Sequence, residues 1–572
     1  MSVPAETRTQ PAGFQAARRA AALAVALKDG LATTAPIRVL VPLVVVQWLA
    51  VAALALSVGH NGWIFYQGGD QLWLYTTGWL LAHGHLAQPL VGYGLPTFLA
   101  PLAAIFGPNF AQALPAIVIL QFLFLLPIAL VTAYGIGARL GGRIFGYWTA
   151  AAWIAAPFIG IEYTNVGYHQ RYTELTLPQA FGLTGMADFP SMVALMVSAY
   201  LLLRVIDGGD WTDAALAGLV GGFAIGIKPS SALYLGGVGL AFLWSRRWRG
   251  AALFAAGLAP TVVVLTVWKW RGYGYLPLMH QSLGPTERLA AGASSLPMAF
   301  IGHHYVQLDW HHLHMQILSL QEHFFSSRLV EWFSFAGVVA LLRVSRPAAL
   351  LFGGWWFAYV IGKGTFPDAS IDDSSLLRLM ITAGPAFLML LAALPLLLPR
   401  MPQRLRRSAP TPWAPPRVRI GAIAAGVALF ALVPLGFATV ATPLRASDGL
   451  AYVVANNVPV PVDDGIHLTA TASGGSVALS WPAAHPSGGR VFYRVFRGQA
   501  GAAPDCSTFP GRAVNCVLPM TIVGTTRDGS FVDKPGAGKW AYRIGVAANW
   551  LNDTSYGDVY VLSPEADAAT TG

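Results

Sequence analysis

Residues 68–75 read Gly68-Gly69-Asp70-Gln71-Leu72-Trp73-Leu74-Tyr75, and the chain continues to Leu80-Leu81-Ala82-His83-Gly84-His85-Leu86. The stretch follows the first long apolar run, and Asp70 is its only acidic residue. Apolar and aromatic side chains recur at helical spacing after Asp70, and Gly84 stands where such a helix should end. The stretch predicts a helix headed by Asp70, whose carboxylate suits either an N-cap or a group that faces a substrate.

A second short apolar segment, 95–106, follows Gly92-Tyr93-Gly94. It is too short to cross a bilayer comfortably, and it contains Pro96 and Pro101. We therefore expect two helices that lie at the membrane surface in the first outer loop.

The composition is that of a polytopic α-helical membrane protein. Of 572 residues, 55% are hydrophobic and only 11% are charged, and the mean hydropathy is +0.54. The formal net charge of +10 reflects loop placement, because no basic, aromatic-interleaved groove motif indicates nucleic-acid binding. The sequence contains no Walker loop, no GxSxG and no dinucleotide fingerprint.

The apolar runs predict about eleven transmembrane helices. The first 36 residues lack a clear cleavage site, so 1–36 is taken as a cytoplasmic segment before a start-transfer span. The runs are 37–57, 112–136, 143–161, 189–206, 213–228, 231–245, 250–268, 329–343, 347–362, 376–398 and 420–441.

With the N-terminus inside, every basic cluster between spans falls on the cytoplasmic side, as the positive-inside rule requires. This topology predicts a basic, proline-rich cytoplasmic linker at 399–419 and a C-terminus outside a bacterial plasma membrane. The basic residues are Arg139, Arg143, Arg246, Arg247, Arg249, Arg343, Arg346, Arg400, Arg404, Arg406, Arg407, Arg417 and Arg419. Span interiors carry almost no ionisable residues, so chemistry belongs at the outer surface.

The C-terminal region changes to short alternating strands separated by glycine and proline turns. We expect a linker at 442–464, an all-β sandwich at 465–564 and a disordered tail at 565–572. The sandwich resembles a fibronectin type III domain in segments that include Val477-Ala478-Leu479-Ser480-Trp481 and Tyr493-Arg494-Val495-Phe496-Arg497. The two cysteines of the chain, Cys506 and Cys516, lie in this outer region, where disulfides persist, and are predicted to pair.

The membrane part, 37–398, resembles the GT-C superfamily of glycosyltransferases. The resemblance rests on the Asp70 stretch, on Asp188-Phe189-Pro190 in the second outer loop, and on Gly226-Ile227-Lys228-Pro229 at the end of a later span. It also rests on Leu377-Arg378-Leu379 with Ala383-Gly384-Pro385, which is similar to the family's Arg-Tyr…Pro stretch.

The resemblance implies transfer of a sugar from a polyprenyl-phosphate donor to an acceptor hydroxyl on a glycan, lipid or protein. It puts the catalytic base at Asp70, with Asp188 as second choice, and the donor phosphate at Arg378 and Lys228. The family often has a second acid where this chain has Gln71, and an aromatic residue where it has Leu379. Because of these departures, a divalent metal ion is possible in this chain but is not required.

Two further clusters of polar residues lie in outer loops. Polar and aromatic residues of the second outer loop suit a sugar pocket and equally suit a solvated loop; they are Glu162, Tyr163, His169, Arg171, Tyr172 and Glu174. The loop at 269–328 is rich in histidine, and His311 and His314 are one helical turn apart. They could hold a metal ion, although an ordinary membrane-surface segment has the same composition.

Three classes of protein compete with a lipid-linked-sugar transferase. A polysaccharide polymerase or ligase would also work at the outer surface but would depend on arginine rather than on Asp70. A transporter would need broken helices and charges near the membrane midplane. A membrane scaffold would use the spans only to display the β-sandwich, for which eleven spans are excessive.

Overall fold

A helical part of the chain is followed by a β-rich C-terminal part. The computed structural model describes residues 29–58, 69–87, 92–273, 308–324, 329–366, 369–399, 401, 414–454, 458–483, 491–508, 514–548 and 558–571. Residues 1–28 of the predicted N-terminal segment and most of the basic linker lie outside these ranges.

The helical part consists of α-helices with short π and 3₁₀ turns between some of them. The helices are α1 Pro36–Ser57, α2 Gly69–Ala82, α3 Gly94–Phe106, α4 Phe110–Leu120, α5 Leu126–Glu162, α6 Val166–Arg171, α7 Leu177–Ala180, α8 Asp188–Ile206, α9 Trp211–Ile227, α10 Tyr234–Ser245, α11 Trp248–Tyr273, α12 Trp310–His323, α13 Leu329–Leu342, α14 Arg346–Gly364, α15 Ser375–Met380, α16 Gly384–Ala393, α17 Pro416–Val427 and α18 Val433–Val440.

Six helical segments in the described ranges are long and apolar enough to cross a membrane, so this part of the chain is membrane-embedded. One of them, Phe110–Glu162, covers two of the predicted runs and bends at Gly142, where the backbone leaves the helical conformation. The other predicted runs are helical as well, but several of their helices are shorter. The segments are Pro36–Ser57, Phe110–Glu162, Asp188–Ile206, Trp248–Gly272, Ser375–Leu397 and Pro416–Val440.

Both short helices predicted after the first span are present, and the turn after α2 is made by Gly84 at φ +77°. Asp70 lies in the first turn of α2. The helix predicted from the apolar spacing is present, but its burial is not confined to one face, because every residue from Gln71 to Leu81 is buried. Helices α3 and α4 and strand β4, Pro459–Pro461, all pack against it.

Close backbone contacts fix α3 against the end of α9. A Cβ atom on Gly94 would lie 2.8 Å from the backbone nitrogen of Ile227, and one on Gly92 would collide with the carbonyl of Gly226. Only glycine permits this approach. Because Lys228 follows Ile227 directly, the contact also fixes the position of Lys228 at the end of α9.

Charged side chains gather at the two opposite ends of the membrane helices. Helix α8 begins at Asp188 and ends beside Arg204, and α9 runs back from Asp210 to Lys228. The end that carries Arg204 is held by ion pairs between helices and the adjoining loop. These pairs are Arg139 with Asp207 at 2.7 Å, Arg204 with Asp213 at 3.0 Å, and Arg419 with Asp210.

In its described residues, the β-rich part contains three sheets beyond the short parallel pair of β1, His85–Leu86, and β2, Thr442–Pro443. Its strands are β3 Ala451–Val453, β4 Pro459–Pro461, β5 Thr469–Ser473, β6 Ser476–Ser480, β7 Val491–Gln499, β8 Asp505–Thr508, β9 Val514–Val517, β10 Thr521–Thr526, β11 Ser530–Asp533, β12 Gly538–Ala548, β13 Asp558–Leu562 and β14 Ala566–Thr570. Two sheets, ordered β11-β6-β5 and β10-β7-β12-β13, form a sandwich, and β14 also pairs with β12.

The core of the sandwich lies between these two sheets. Trp481 meets Tyr493 edge-on, with ring centroids 5.3 Å apart, and both side chains are buried. Val477, Leu479 and Ile544 are also buried there, as the alternation of the sequence predicts.

Two domain boundaries predicted for this region were wrong. The expected disordered tail at 565–572 contains β14, which pairs with residues 538–542 of β12. Strand β14 is the partner of residues 538–542 on this edge of β12, because β13 pairs only with residues 545–548. The expected linker at 442–464 contains β3 and β4, which join β9 and β8 in the third sheet. These strands have only three residues each, so alternation could not reveal them.

Cys506 and Cys516 form a disulfide bond across the β8–β9 hairpin. The hairpin lies between β7 and β10 in sequence, and its two strands belong to the third sheet. The pairing agrees with the prediction from the sequence.

Replacing both cysteines by serine should lower the free energy of unfolding of the β-rich part by about 3 kcal/mol, because the unfolded chain loses a short covalent loop. Thermal unfolding of the full chain in detergent measures the change, and reduced wild-type protein should match the double variant. Two free thiols in the native protein, found by mass spectrometry, would contradict the pairing.

Candidate functional site

Asp70 and Arg378 form an ion pair at the end of the helical part opposite the Arg204 end. The Nη1 atom of Arg378 lies 3.0 Å from Oδ2 of Asp70. Asp70 sits in the first turn of α2, and Arg378 lies in α15 at the start of a membrane-spanning segment. The pair is open to solvent, since the two side chains are 29% (Arg378) and 55% (Asp70) exposed. The structure thus joins two residues that the sequence placed in separate outer segments.

Asp188 and Lys228 form a second ion pair between the start of α8 and the end of α9. This pair is enclosed, with Asp188 only 4% and Lys228 16% exposed in their side chains. Hydroxyls buried nearby extend it, since Ser191 lies one turn after Asp188 and its Oγ is 2.6 Å from that of Ser231. All four residues predicted to act in catalysis or to bind the donor phosphate therefore fall into two ion pairs.

Lys363 connects the two pairs. It lies at the end of α14, within electrostatic range of Lys228, Asp188 and Arg378. One turn earlier, the buried Tyr359 is beside Ser231 and Thr382, which follow Lys228 and Arg378 closely in the chain. We name the set Asp70, Arg378, Asp188, Lys228 and Lys363 the charged cluster.

Gln71 ties the two acidic positions together. Its Oε1 accepts a hydrogen bond of 2.8 Å from the backbone N–H of Gly185, in the loop that leads into Asp188. Gln71 is fully buried, so this bond replaces water that neither group can reach. The amide at this position thus has a structural role, because it holds α2 against the loop before α8.

The second-outer-loop residues are found on a wall beside the charged cluster, formed by α5, α6 and the turn that follows. Tyr172 donates a hydrogen bond of 3.0 Å to the carbonyl of Pro157, and Gln170 donates one of 3.2 Å to Glu174. The rest of the predicted group is exposed: Glu162, Tyr163, His169 and Arg171. The contacts seen for this group are with the wall itself and with α12.

Tyr168, which the sequence analysis did not single out, anchors this wall. Its hydroxyl donates to the carbonyl of Ile371 at 2.6 Å, and its ring stacks on His323 with centroids 4.7 Å apart. Burial raises the pKa of the Tyr168 and Tyr172 phenols, so both remain neutral donors at neutral pH. The wall is continuous with the segment that carries Arg378.

Two histidines of α12, His312 and His323, make protein contacts. The ring Nε2 of His312 lies 2.8 Å from the carbonyl of Ala369, and that of His323 lies 3.0 Å from Asp372. Over the ranges described, no group of three or more His, Cys, Asp or Glu side chains is arranged to hold a metal ion. His280, His303 and His304 lie outside these ranges.

No protein-family model and no curated protein sequence matches this chain. The chemistry of the site therefore has to be argued from the geometry of its own residues. Lys363 is the member of the charged cluster that the sequence analysis missed. The signal that selected Lys228 and Arg378, a cation at the outer end of an apolar run, would also have selected Lys363 in Gly362-Lys363-Gly364.

Gln71→Ala should destabilise the protein by roughly 1–3 kcal/mol, because the Gly185 N–H is left buried without a partner. Hydrogen exchange followed by mass spectrometry should become faster in peptides that span 182–187. Gln112→Ala, at an exposed position of α4, is the matched control and should change neither quantity. If hydrogen exchange is unchanged in Gln71→Ala, the Gln71 side chain has no role in positioning Asp188.

Proposed function

We propose that this protein is a membrane glycosyltransferase that moves a sugar from a polyprenyl-phosphate donor to an acceptor hydroxyl. The observation that carries the proposal is the convergence of Asp70, Asp188, Lys228 and Arg378 at one end of the helical part. Transfer of this kind needs a carboxylate for the acceptor and cations for the phosphate, and the charged cluster contains both. The acceptor would be an envelope glycan, a glycolipid or a protein.

Asp70 is the better candidate for the base. Its carboxylate is more than half exposed, whereas that of Asp188 is buried against Lys228. An acceptor hydroxyl can approach the exposed part of the Asp70 carboxylate, whereas at Asp188 it would have to separate an enclosed ion pair. Asp188 instead holds Lys228 in place, so its part in the reaction is positioning.

In the proposed reaction the donor phosphate first draws Arg378 away from Asp70. The acceptor oxygen then attacks the anomeric carbon from the face opposite the phosphate and gives its proton to Asp70. The bond between the anomeric carbon and the phosphate oxygen breaks, and the polyprenyl phosphate leaves with the electron pair and its negative charge. One displacement inverts the anomeric configuration. No metal ion has a required role in this scheme.

Charges at the helix ends speak against the transporter alternative, which would place them near the midplane. In the described ranges the ion pairs of the helical part lie at the two ends and are joined to loops. A fixed cluster at one end suits a reaction at the membrane surface.

The C-terminal β-rich part is proposed to be a fibronectin type III-like domain. A sheet of three strands faces a sheet built from β10, β7, β12 and β13, and the buried Trp481 lies in the core between them. Contacts of β4 with α2 and of β1 with β2 hold this domain against the helix that carries Asp70.

We place the protein in a bacterial plasma membrane with about eleven spans, the N-terminus in the cytoplasm and the charged cluster outside. The basic residues Arg139, Arg204 and Arg419 all lie at the other end of the helices, where cytoplasmic cations belong.

Reporter fusions test this orientation. Alkaline phosphatase should be inactive when it is fused after Met401 and active when it is fused after Ala470, because one span separates the two sites. A green fluorescent protein series at the same positions should give the inverse pattern. The same result at both positions would refute the orientation and the outer location of the site.

Asp70→Asn tests the chemistry. The purified protein is incubated with a panel of hexosyl and pentosyl polyprenyl phosphates and an envelope fraction as acceptor, and released polyprenyl phosphate is measured. Because asparagine keeps the shape but cannot take the proton, the rate should fall roughly 10²–10⁴-fold without loss of thermal stability.

Asp528→Asn is the matched control, since Asp528 is an exposed acid between β10 and β11. It should transfer sugar at the wild-type rate. Near-normal transfer by Asp70→Asn would exclude Asp70 as the base. Failure of the folded wild-type protein to consume any donor of the panel would count against the transferase itself.

A further inference from the structure

The charged cluster holds one more positive than negative side chain. Asp70 neutralises Arg378 and Asp188 neutralises Lys228, with direct contact in both cases. For Lys363 the structure gives, in the part of the chain it describes, a contact of its ammonium with the ring of Phe366, at 5.4 Å from the centroid. Among the residues that the structure describes, Lys228, Asp188 and Arg378 of the two ion pairs act on Lys363 electrostatically.

The position of Lys363 is set by packing on both sides of it. A Cβ atom on Gly362 would lie 3.1 Å from the side chain of Leu233, in the short helical segment that follows Lys228. Helix α14 also packs against α15, which carries Arg378. Lys363 is therefore held between the two ion pairs and is not on a free surface.

The two paired cations, Lys228 and Arg378, differ in how easily they can leave their carboxylate partners to bind a ligand. A buried ion pair is costly to break, so Lys228 stays with Asp188. A solvent-exposed ion pair is weak, so Arg378 can exchange Asp70 for a ligand. Lys363 has no ion-pair partner to exchange among the residues that the structure describes.

We propose that Lys363 is the residue that binds the phosphate of the lipid-linked donor, with Arg378 joining it and Lys228 holding Asp188 in position. This assignment rests on the proposed function for the identity of the ligand. The net charge of the cluster fits a phosphodiester, which carries a single negative charge. In a half-buried site such a contact is stronger than in bulk water.

Direct binding of farnesyl phosphate tests the proposal, since this compound resembles the polyprenyl phosphate that leaves. Binding to the full-length protein in detergent is measured by isothermal titration calorimetry, with farnesol as the uncharged comparison. Lys363→Met should weaken binding of farnesyl phosphate by at least about tenfold. Its salt dependence should also become shallower, while farnesol binding stays the same.

Lys363→Arg, which keeps the charge, should restore most of the affinity. Lys539→Met makes the same change at an exposed lysine of β12 and should bind like wild type. Thermal unfolding checks that each variant is folded, and Lys363→Gln replaces Lys363→Met if the methionine variant is not.

Wild-type affinity in folded Lys363→Met, with loss of binding in Arg378→Ala, would assign the phosphate to Arg378 and overturn the proposal. Equal affinity for farnesol and farnesyl phosphate in the wild type would also overturn it. The measurement involves no sugar transfer. Binding through Lys363 in a protein that transfers no sugar would therefore leave this assignment standing while the proposed function fails.

Discussion

A charged side chain is costly in the hydrocarbon of a bilayer, and this constraint arranges the helical part of the molecule. Charges are confined to helix ends, so helices that reverse direction bring them together in two layers. Helices α8 and α9 show the effect, since Asp188 meets Lys228 at one end while Arg204 meets Asp213 at the other. The charged cluster and the ion pairs at the Arg204 end therefore have the same physical origin. They differ in which loops contact them.

The position of Asp70 depends on a second constraint, the burial of α2. Membrane helices lie on one side of it and the β-rich part on the other, and residue 84 is tied to the C-terminal part by the hydrogen bond from Thr442 N–H to its carbonyl. Residues 71–81 of α2 are buried, and the exposed Asp70 precedes them in the first turn of the helix. The β-rich part thereby contributes to the site without supplying a charged residue to it.

The sequence was sufficient for the long apolar helices and for the strands β5, β6, β7 and β12, because both have strong periodic signals. The sequence also pointed to Asp70, Asp188, Lys228 and Arg378 as charged residues beside apolar runs. All four lie at the same end of the helical part. It could not supply their pairing, which arises from the packing of α2, α8, α9 and α15 and not from local pattern.

The errors have equally physical causes. The burial of α2 depends on a β-rich part hundreds of residues away, so its composition alone suggested a surface helix. Strand β14 consists mostly of alanine, threonine and one acid, and only its partner β12 makes it a strand. Lys363 was missed because a single lysine after an apolar run reads as an ordinary anchor at the membrane interface.

Two ion pairs of unequal strength give the charged cluster a fixed part and an exchangeable part. The enclosed Asp188–Lys228 pair fastens the ends of α8 and α9, because both side chains are largely shielded from water. The open Asp70–Arg378 pair competes with solvent and is weak by comparison. An anion that enters beside Lys363 can therefore take Arg378 at little cost and leave the Asp70 carboxylate available, while the helices that surround the site keep their positions.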